Sequence, residues 1–333
     1  EKNSYFNFFQ SIEWIEYWNK IFIETKNTQY KPFYVSVYNN EALILVLPLC
    51  IEKNKFNIKI LKFIGEPYND ICFPVIRKNY KFDFKNFNLC FEEFLNENKN
   101  KFDSIYLKNL LNYNNFCENP LLQNKKNFKS DINYYIQLKD WETYLNEIGF
   151  GKNNEVNKKI KILKKKGELK YEFDSKSKKT EILNFIIYHK NKQFIKKKKR
   201  NIFYFQENKK YIEKLDEFES AIFSHLSLND EIISAHVGYL INHKFFHIMP
   251  THNTDYNKFS PGTILLSSMI KSCCDEKQIK NFDFTIGSEI YKMKWSNDRS
   301  NLYSYLYYTN FKGFIYNLFL KLKLKFIKKY LIR

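Results

Sequence analysis

The chain has 333 residues, 44% apolar and 19% aromatic, with 55 Lys and Arg against 36 Asp and Glu for a formal charge of +19. That length exceeds what one core usually fills and that apolar content excludes a disordered chain, so two folded domains are expected. No apolar run is long enough for a membrane-spanning helix and no signal-like segment opens the chain; six cysteines (Cys50, Cys72, Cys90, Cys117, Cys273, Cys274) without CxxC spacing or histidine partners fit scattered free thiols better than a disulfide frame or a zinc site, which predicts a cytoplasmic protein with no bound metal.

A charge of +19 taken alone points to nucleic acid or an anionic membrane. Only four basic residues are Arg (Arg77, Arg200, Arg299, Arg333), however, and Lys, Asn, Ile, Phe and Tyr dominate, as they do where A- and T-rich codons set the neutral positions. The placement of charge therefore says more than its sum.

In chain order, SIEWIEYWNKIF predicts a helix, with apolar or aromatic residues at Ile12, Ile15, Trp18, Ile21 and Phe22 and Ser11 placed to cap it. KPFYVSVYNN and EALILVLPLC predict a hairpin turning at Asn39, Asn40 and Glu41. IKILKFIG and NDICFPVI predict strands, FKNFNLCFEEFLNENK a helix and FDSIYLKNL another strand. KKIKILKKKGELKYEF predicts a basic helix ended by Gly167 and then a strand, and ILNFIIYHKNKQFIKKKKR a second helix. Residues 151–200 hold 18 basic and 5 acidic residues, which reads equally as a solvated lysine face or a groove for an anionic ligand.

Beyond that stretch, ESAIFSHLSLND reads as the end of a helix and EIISAHVGYLINHKFFHIMPTHN as a hairpin turning at Asn242 and His243. SPGTILLSSMIKSCCDEK reads as a helix and IKNFDFTI as a strand that runs on into GSEIYKMKW. The tail FKGFIYNLFLKLKLKFIKKYLIR has seven basic and no acidic residues. As a helix it sets Lys321, Lys325, Lys328 and Lys329 opposite Leu320, Leu324, Ile327 and Leu331, and it either lies on an anionic membrane or packs on its own domain. Helix, hairpin, helix, strand recurs in both halves, which suggests a duplicated unit with domains at 1–150 and 151–310 and an appended helix at 311–333.

Chemistry concentrates late in the chain. The Ser260-Pro261-Gly262-Thr263 turn leaves a strand and opens a helix whose first N–H groups lack internal partners, so it is either plain capping or a place for phosphate. His236 has an ordinary pKa near neutrality and is the first candidate for a general base, with Asp283 and Glu289 as alternatives; each also reads as a core, cap or surface residue. Asn69 and Asp70 interrupt an apolar run in GEPYNDICFP, which suits either a cleft-facing loop or a turn.

The runs AHVGYL, SPGTILL and FDFTIGSEIYKMKW resemble the C-terminal half of the CelD/BcsL group of GNAT-like acyltransferases, which is similar in turn to the Fem-type aminoacyl transferases. The resemblance implies an α/β fold: two tandem GNAT-like domains, each a mixed, mostly antiparallel sheet flanked by helices. It implies acyl-coenzyme A, acetyl-coenzyme A foremost, as co-substrate, held by Ser260, Pro261, Gly262, Thr263 and the strand around Met249, where His247 and His252 also lie. It further implies a sugar, nucleotide-sugar or polysaccharide-precursor acceptor near Asn69, Asp70, Tyr291, Lys292 and Trp295. The Q/R-x-x-G-x-G/A phosphate loop of single-domain GNAT proteins is missing here. Two other readings stay open: a Fem-type transfer from aminoacyl-tRNA, with residues 151–200 on the RNA, and a non-catalytic scaffold that binds glycan or membrane. Nucleic acid is otherwise not an expected partner, and membrane contact would be peripheral, through the tail.

Overall fold

A computed structural model describes residues 3–23, 29–114, 117–123, 126–149, 151–196, 206–287 and 289–331. The chain forms two compact units, residues 1–132 with 300–333 and residues 133–299. Each unit contains a mostly antiparallel sheet with helices against it.

In the first unit, β1 (Ser4–Tyr5) leads to α1 (Ile12–Trp18), whose start is capped by Ser11 Oγ accepting from the Trp14 N–H at 3.1 Å. The helix buries Trp14, Tyr17 and Trp18. The predicted hairpin is β2 (Tyr30–Asn39) and β3 (Ala42–Lys53), turning through Asn40 at φ 52°. β3 also pairs with β4 (Lys59–Phe63) over Leu49–Lys53 and with β5 (Val75–Arg77) over Leu45–Val46. The amphipathic α2 (Phe84–Glu97) turns Phe87, Phe91 and Leu95 inward and returns the chain to β6 (Ser104–Leu111). β6 runs parallel to β4 through Ile60–Ser104 and Leu61–Ile105.

The chain segment 64–73 fills the space beside β6 beyond those two pairs. Cys72 N–H donates to the Asn109 carbonyl at 2.8 Å, Leu111 N–H donates to the Cys72 carbonyl at 3.0 Å, and Asn109 Nδ2 donates to the Asn69 carbonyl at 3.1 Å. Asn69 is buried: its Oδ1 accepts from Trp14 Nε1 at 2.8 Å and its Nδ2 donates to the Ile64 carbonyl at 2.6 Å. Gly65, at φ 101°, lies so close to Asn69 and Trp14 that a Cβ would sit 2.1 Å from Asn69 Oδ1. The loop that the sequence leaves open as cleft-facing is therefore tied at Asn69 into this unit's own core.

β7 (Tyr113–Asn114) and β8 (Cys117–Glu118) form a small hairpin, and β9 (Asn127–Gln137) carries the chain into the second unit. There follow α3 (Trp141–Ile148), α4 (Gly151–Lys164), β10 (Leu169–Glu172), α5 (Lys179–Lys196) and α6 (Gln206–Glu213). The lysine-rich run at 197–200 lies outside the described residues. Next come β11 (Ala221–Leu228), β12 (Glu231–Ile241), β13 (Lys244–His252), α7 (Pro261–Asp275), β14 (Asn281–Ile286) and α8 (Ile290–Trp295). The strand order in this unit is β10, β11, β12, β13, β14, β9. The turn between β12 and β13 has Asn242 and His243 at φ 49° and 62°, the left-handed pair of a tight hairpin. β15 (Asp298–Tyr308) then pairs antiparallel with β6, and α9 (Phe311–Leu331) lies against β6.

Three sequence readings are corrected. ESAIFSHLSLND is not a helix end: Ala221–Leu228 is a strand, buried at nearly every position because α5 and α7 both lie across β11. The strand from Asn281 stops at Ile286, and Tyr291, Lys292 and Trp295 belong to the one-and-a-half-turn helix α8. The contact-defined boundary falls inside β9 rather than at 150, and residues 300–333 belong to the first unit.

Asn69→Ala leaves the Trp14 indole N–H and the Ile64 carbonyl unpaired in a dry core and is expected to destabilise the protein by about 2–4 kcal/mol. Urea unfolding followed by tryptophan fluorescence measures it, and an unchanged midpoint would contradict the structural role given to Asn69.

Candidate active site

In the second unit β13 and β14 run parallel through three pairs, Lys244–Asn281, Phe245–Phe282 and Phe246–Asp283. Beyond them β13 stays with β12 as far as Ser234–His252, while β14 turns toward β9 with a register irregularity between Asp283 and Ile286. The strands thus fork after Phe246 and Asp283, and from His247 onward β13 offers backbone groups to partners other than β14.

Asp283 makes the bend. Fully buried, its Oδ1 accepts from the Thr285 N–H at 2.8 Å and holds Thr285 in the left-handed region at φ 59°; its Oδ2 accepts from Asn133 Nδ2 at 3.2 Å, with Lys244 Nζ at 3.4 Å. Strand alternation turns Asp283 to the face opposite Phe282 and Phe284. β13 has its own irregularity opposite Val237 and Gly238. A Cβ at Gly238 would fall 2.3 Å from the Phe246 carbonyl oxygen and 2.6 Å from His236 Cε1, so only glycine allows both the bulge and the histidine.

His247 is the first residue of β13 past the fork. Its ring stacks on that of His236 at 4.3 Å with 12° between the planes, and Phe282, Phe284 and Tyr291 surround it at 5.6, 5.8 and 6.4 Å. Both histidines are buried. Burial, with Lys292 and Lys190 nearby, pulls His247 down to about 3, and burial next to His247 pulls His236 well below its ordinary value. Neither nitrogen of His236, nor Nδ1 of His247, has a hydrogen-bond partner. The pair is neutral at pH 7 and has ring nitrogens free to accept. Of the two, His247 stands at the fork and His236 behind it, a ranking of positions that spacing in the sequence does not carry.

At the start of α7, Ser260 adopts a left-handed conformation at φ 51°. Its hydroxyl accepts from Lys159 Nζ at 2.6 Å instead of capping the helix, while its carbonyl accepts from the Thr263 and Ile264 N–H groups at 3.0 and 3.2 Å. Pro261 is the first helical residue, and a Cβ at Gly262 would lie 3.3 Å from His252 Nδ1. Lys166 and Lys258 each stand over the Phe259 ring, at 5.6 and 5.0 Å. Three lysines from α4, the following loop and the 254–259 turn thus gather where the helix dipole already favours negative charge. Lys159 was legible in sequence only as one of many lysines; its address comes from α4 crossing α7.

Around α8, Glu289 occupies the exposed N-terminal flank and pairs with Lys292 Nζ at 3.2 Å. Lys292 is buried and also donates to the Ile286 carbonyl. Burial raises the Tyr291 hydroxyl above its usual range. Trp295 is buried and its carbonyl accepts from the Tyr144 hydroxyl at 2.6 Å. Met249 is half-buried on β13 past the fork, opposite Val237. The fork thus gathers His236, His247, Tyr291 and Lys292; Ser260 to Thr263 form the nearby α7 start; Asn69 and Asp70 are in the other unit. A polar pocket of about 660 Å³ lined by Gln137, Glu147, Lys152, Asn297 and Asp298, also in the second unit, has no counterpart in the sequence reading. Among the described residues no group of three His, Cys, Asp or Glu is placed to hold a metal.

Residues 152–293 match the family model of an acetyltransferase (GNAT) domain. No curated protein matches the chain. Among solved structures, FemX is similar over 90% of this chain and 92% of its own, at 12% identity and a TM-score of 0.59. The C-terminal domain of a putative lysylphosphatidylglycerol synthetase from Agrobacterium fabrum is similar over 92% and 94%, at 11% identity and 0.54. A structure described as L-PGS from Bacillus licheniformis is similar over 93% and 95%, at 12% identity and 0.52. At these identities the likeness is one of fold.

The buried histidines set a pH dependence of stability. Between about 3 and the ordinary value of about 6.5, an unfolded chain binds a proton on His247 that the folded chain does not, so stability falls as pH drops below about 6.5 by up to about 1.4 kcal/mol per pH unit per histidine. His236, His189 and His225 are displaced in the same direction by burial. Urea midpoints between pH 7.5 and 5 are expected to decline, and His236→Phe with His247→Phe to make the decline shallower; a slope unchanged in the double variant would refute the assignment.

Proposed function

We propose that the second unit is an acyltransferase that moves an acyl group from coenzyme A to an amine or hydroxyl of a sugar, nucleotide sugar or glycan precursor, in the manner of the CelD/BcsL group. The observation that carries this reading is the fork between β13 and β14 together with the lysine-flanked start of α7. An extended amide-bearing donor arm suits the backbone groups that β13 offers from His247 to Met249. Its phosphates suit Lys159, Lys166, Lys258 and the helix start, which do here what the absent glycine-rich loop does in single-domain relatives.

The thioester supplies an activated carbonyl carbon, and the chain's residues supply position and proton traffic. A neutral His247 accepts the acceptor's proton as the acceptor's nitrogen or oxygen bonds to that carbon; the C–S bond then breaks, and the coenzyme A sulfur leaves and takes up the proton held by His247. Weak basicity suffices, because the acceptor N–H or O–H grows more acidic as the bond forms. His236 backs the ring and keeps it dry. Lys292, held by Glu289 and the Ile286 carbonyl, places a positive charge close to the histidines and favours developing negative charge on a carbonyl oxygen.

A second reading has support from the basic helix. α4 presents Lys158, Lys161 and Lys164 to solvent beside Lys159, followed by exposed Lys165, a surface that suits a polynucleotide, so a Fem-type transfer from aminoacyl-tRNA onto the same fork is the alternative. The two readings share His247 and differ in the donor.

Acetyl-coenzyme A is expected to raise the melting temperature, and Gly262→Trp to abolish the shift by pushing into His252. Lys159→Ala is expected to weaken donor binding about tenfold, and His247→Ala to lower kcat about a hundredfold at unchanged donor affinity. Absence of any shift with acyl-coenzyme A, with salt-sensitive binding of aminoacyl-tRNA instead, would replace the first reading by the second.

A further inference from the structure

α9 packs one side on the protein and leaves a second, apolar side outward. Gly313 and Asn317 are buried, Tyr316 is half-buried, and Ser104 Oγ of β6 donates to Asn317 Oδ1 at 2.6 Å. Gly313 approaches so closely that a Cβ would sit 1.8 Å from the Asp103 carbonyl oxygen, and the Asn310 side chain ties the helix start to Asp103 Oδ1 at 2.7 Å. The opposite side carries Phe311, Phe314, Ile315, Leu318, Phe319 and Leu322, between 38% and 74% exposed. At about 100° per residue these six fall within one arc of about 140° centred away from Gly313 and Asn317. Exposed Lys312 and Lys323 border the arc on one side and Lys321 on the other. Leu320 and Leu324, of the leucine side named from the sequence, are half-buried on the protein-facing arc with Gly313 and Asn317, and the outward stripe is a second apolar face.

The geometry points to α9 as a docking face for an anionic lipid surface, lying in the interface plane. Six outward apolar side chains give it a hydrophobic stripe. Lysines on both borders are placed to lay their methylene stems along that stripe and raise their ammonium groups to phosphate headgroups. Seven basic and no acidic residues in 311–333 make the match with negative lipid and a mismatch with a second copy of the same face, which would set lysines against lysines. Among the described residues no helix is long and apolar enough to cross a membrane, so the contact is peripheral. The inference is independent of the reaction proposed above.

The test is sedimentation of the full chain with vesicles of phosphatidylcholine alone or mixed equally with phosphatidylglycerol. Binding is expected to the mixed vesicles and to fall as salt rises. Leu318→Ser with Phe319→Ser and Leu322→Ser is expected to weaken it at least about tenfold, and Lys312→Gln, Lys321→Gln and Lys323→Gln about fivefold per lysine. The six side chains are exposed, so circular dichroism and the melting temperature should match the parent and exclude unfolding as the cause. No sedimentation, full binding by the apolar triple variant, or a dimer in light scattering that this variant dissolves without any lipid binding would each overturn the proposal.

Discussion

Three parallel pairs between β13 and β14 govern the second unit. Parallel neighbours cannot be joined by a tight turn, so the chain must leave β13, cross through a helix and come back, and α7 is that crossing. The crossing brings the end of β13, the parting of the strands and the first turn of α7 to one end of the sheet. Backbone groups, a helix dipole and the α4 lysines therefore converge without any residue having been recruited for a ligand. Asp283 and Gly238 keep the arrangement open: one bends β14 away, and the other makes room for the bulge and for His236.

The first unit follows the same logic to a different end. β4, α2 and β6 repeat the strand, crossing helix and parallel strand, and the parallel ladder again stops after a few pairs. There the chain itself, from Ile64 to Phe73, occupies the space, fastened by Asn69 to Trp14 and by Cys72 to β6. A fork that is packed with protein in one unit is lined by neutral histidines and aromatic rings in the other. The same strand, helix and parallel-strand order thus has two outcomes, decided by which loop follows the strand.

Much of this was legible in the chain. The hairpins at Asn40 and at Asn242 and His243 announce themselves through left-handed turn residues, and α2 and α7 through periodicity and their starts. β11 was misread because two sheet-facing helices bury both of its sides, which removes the alternation that marks a strand. β9 and β15 were passed over, since Asn, Ser and Lys or Arg break their apolar runs while their pairing partners are more than a hundred residues away. At the site, the histidines, the Ser260 turn and the Tyr291 to Trp295 segment could be named from sequence, but the order of His247 and His236 along the fork could not. That order depends on a one-residue bulge, which shifts register without leaving any mark except Gly238.

The first unit is discontinuous in the chain, and this orders its synthesis. Residues 1–132 leave the ribosome first but lack β15, the strand that pairs with β6, and α9, which covers Ser104; both come only after all of 133–299 has been made. At about 5–20 residues per second, that interval lasts on the order of ten seconds or more. The later-made unit thus has its whole sequence first, while the edge of β6 that β15 covers has no strand to pair with, and an unpaired edge is open to unwanted pairing.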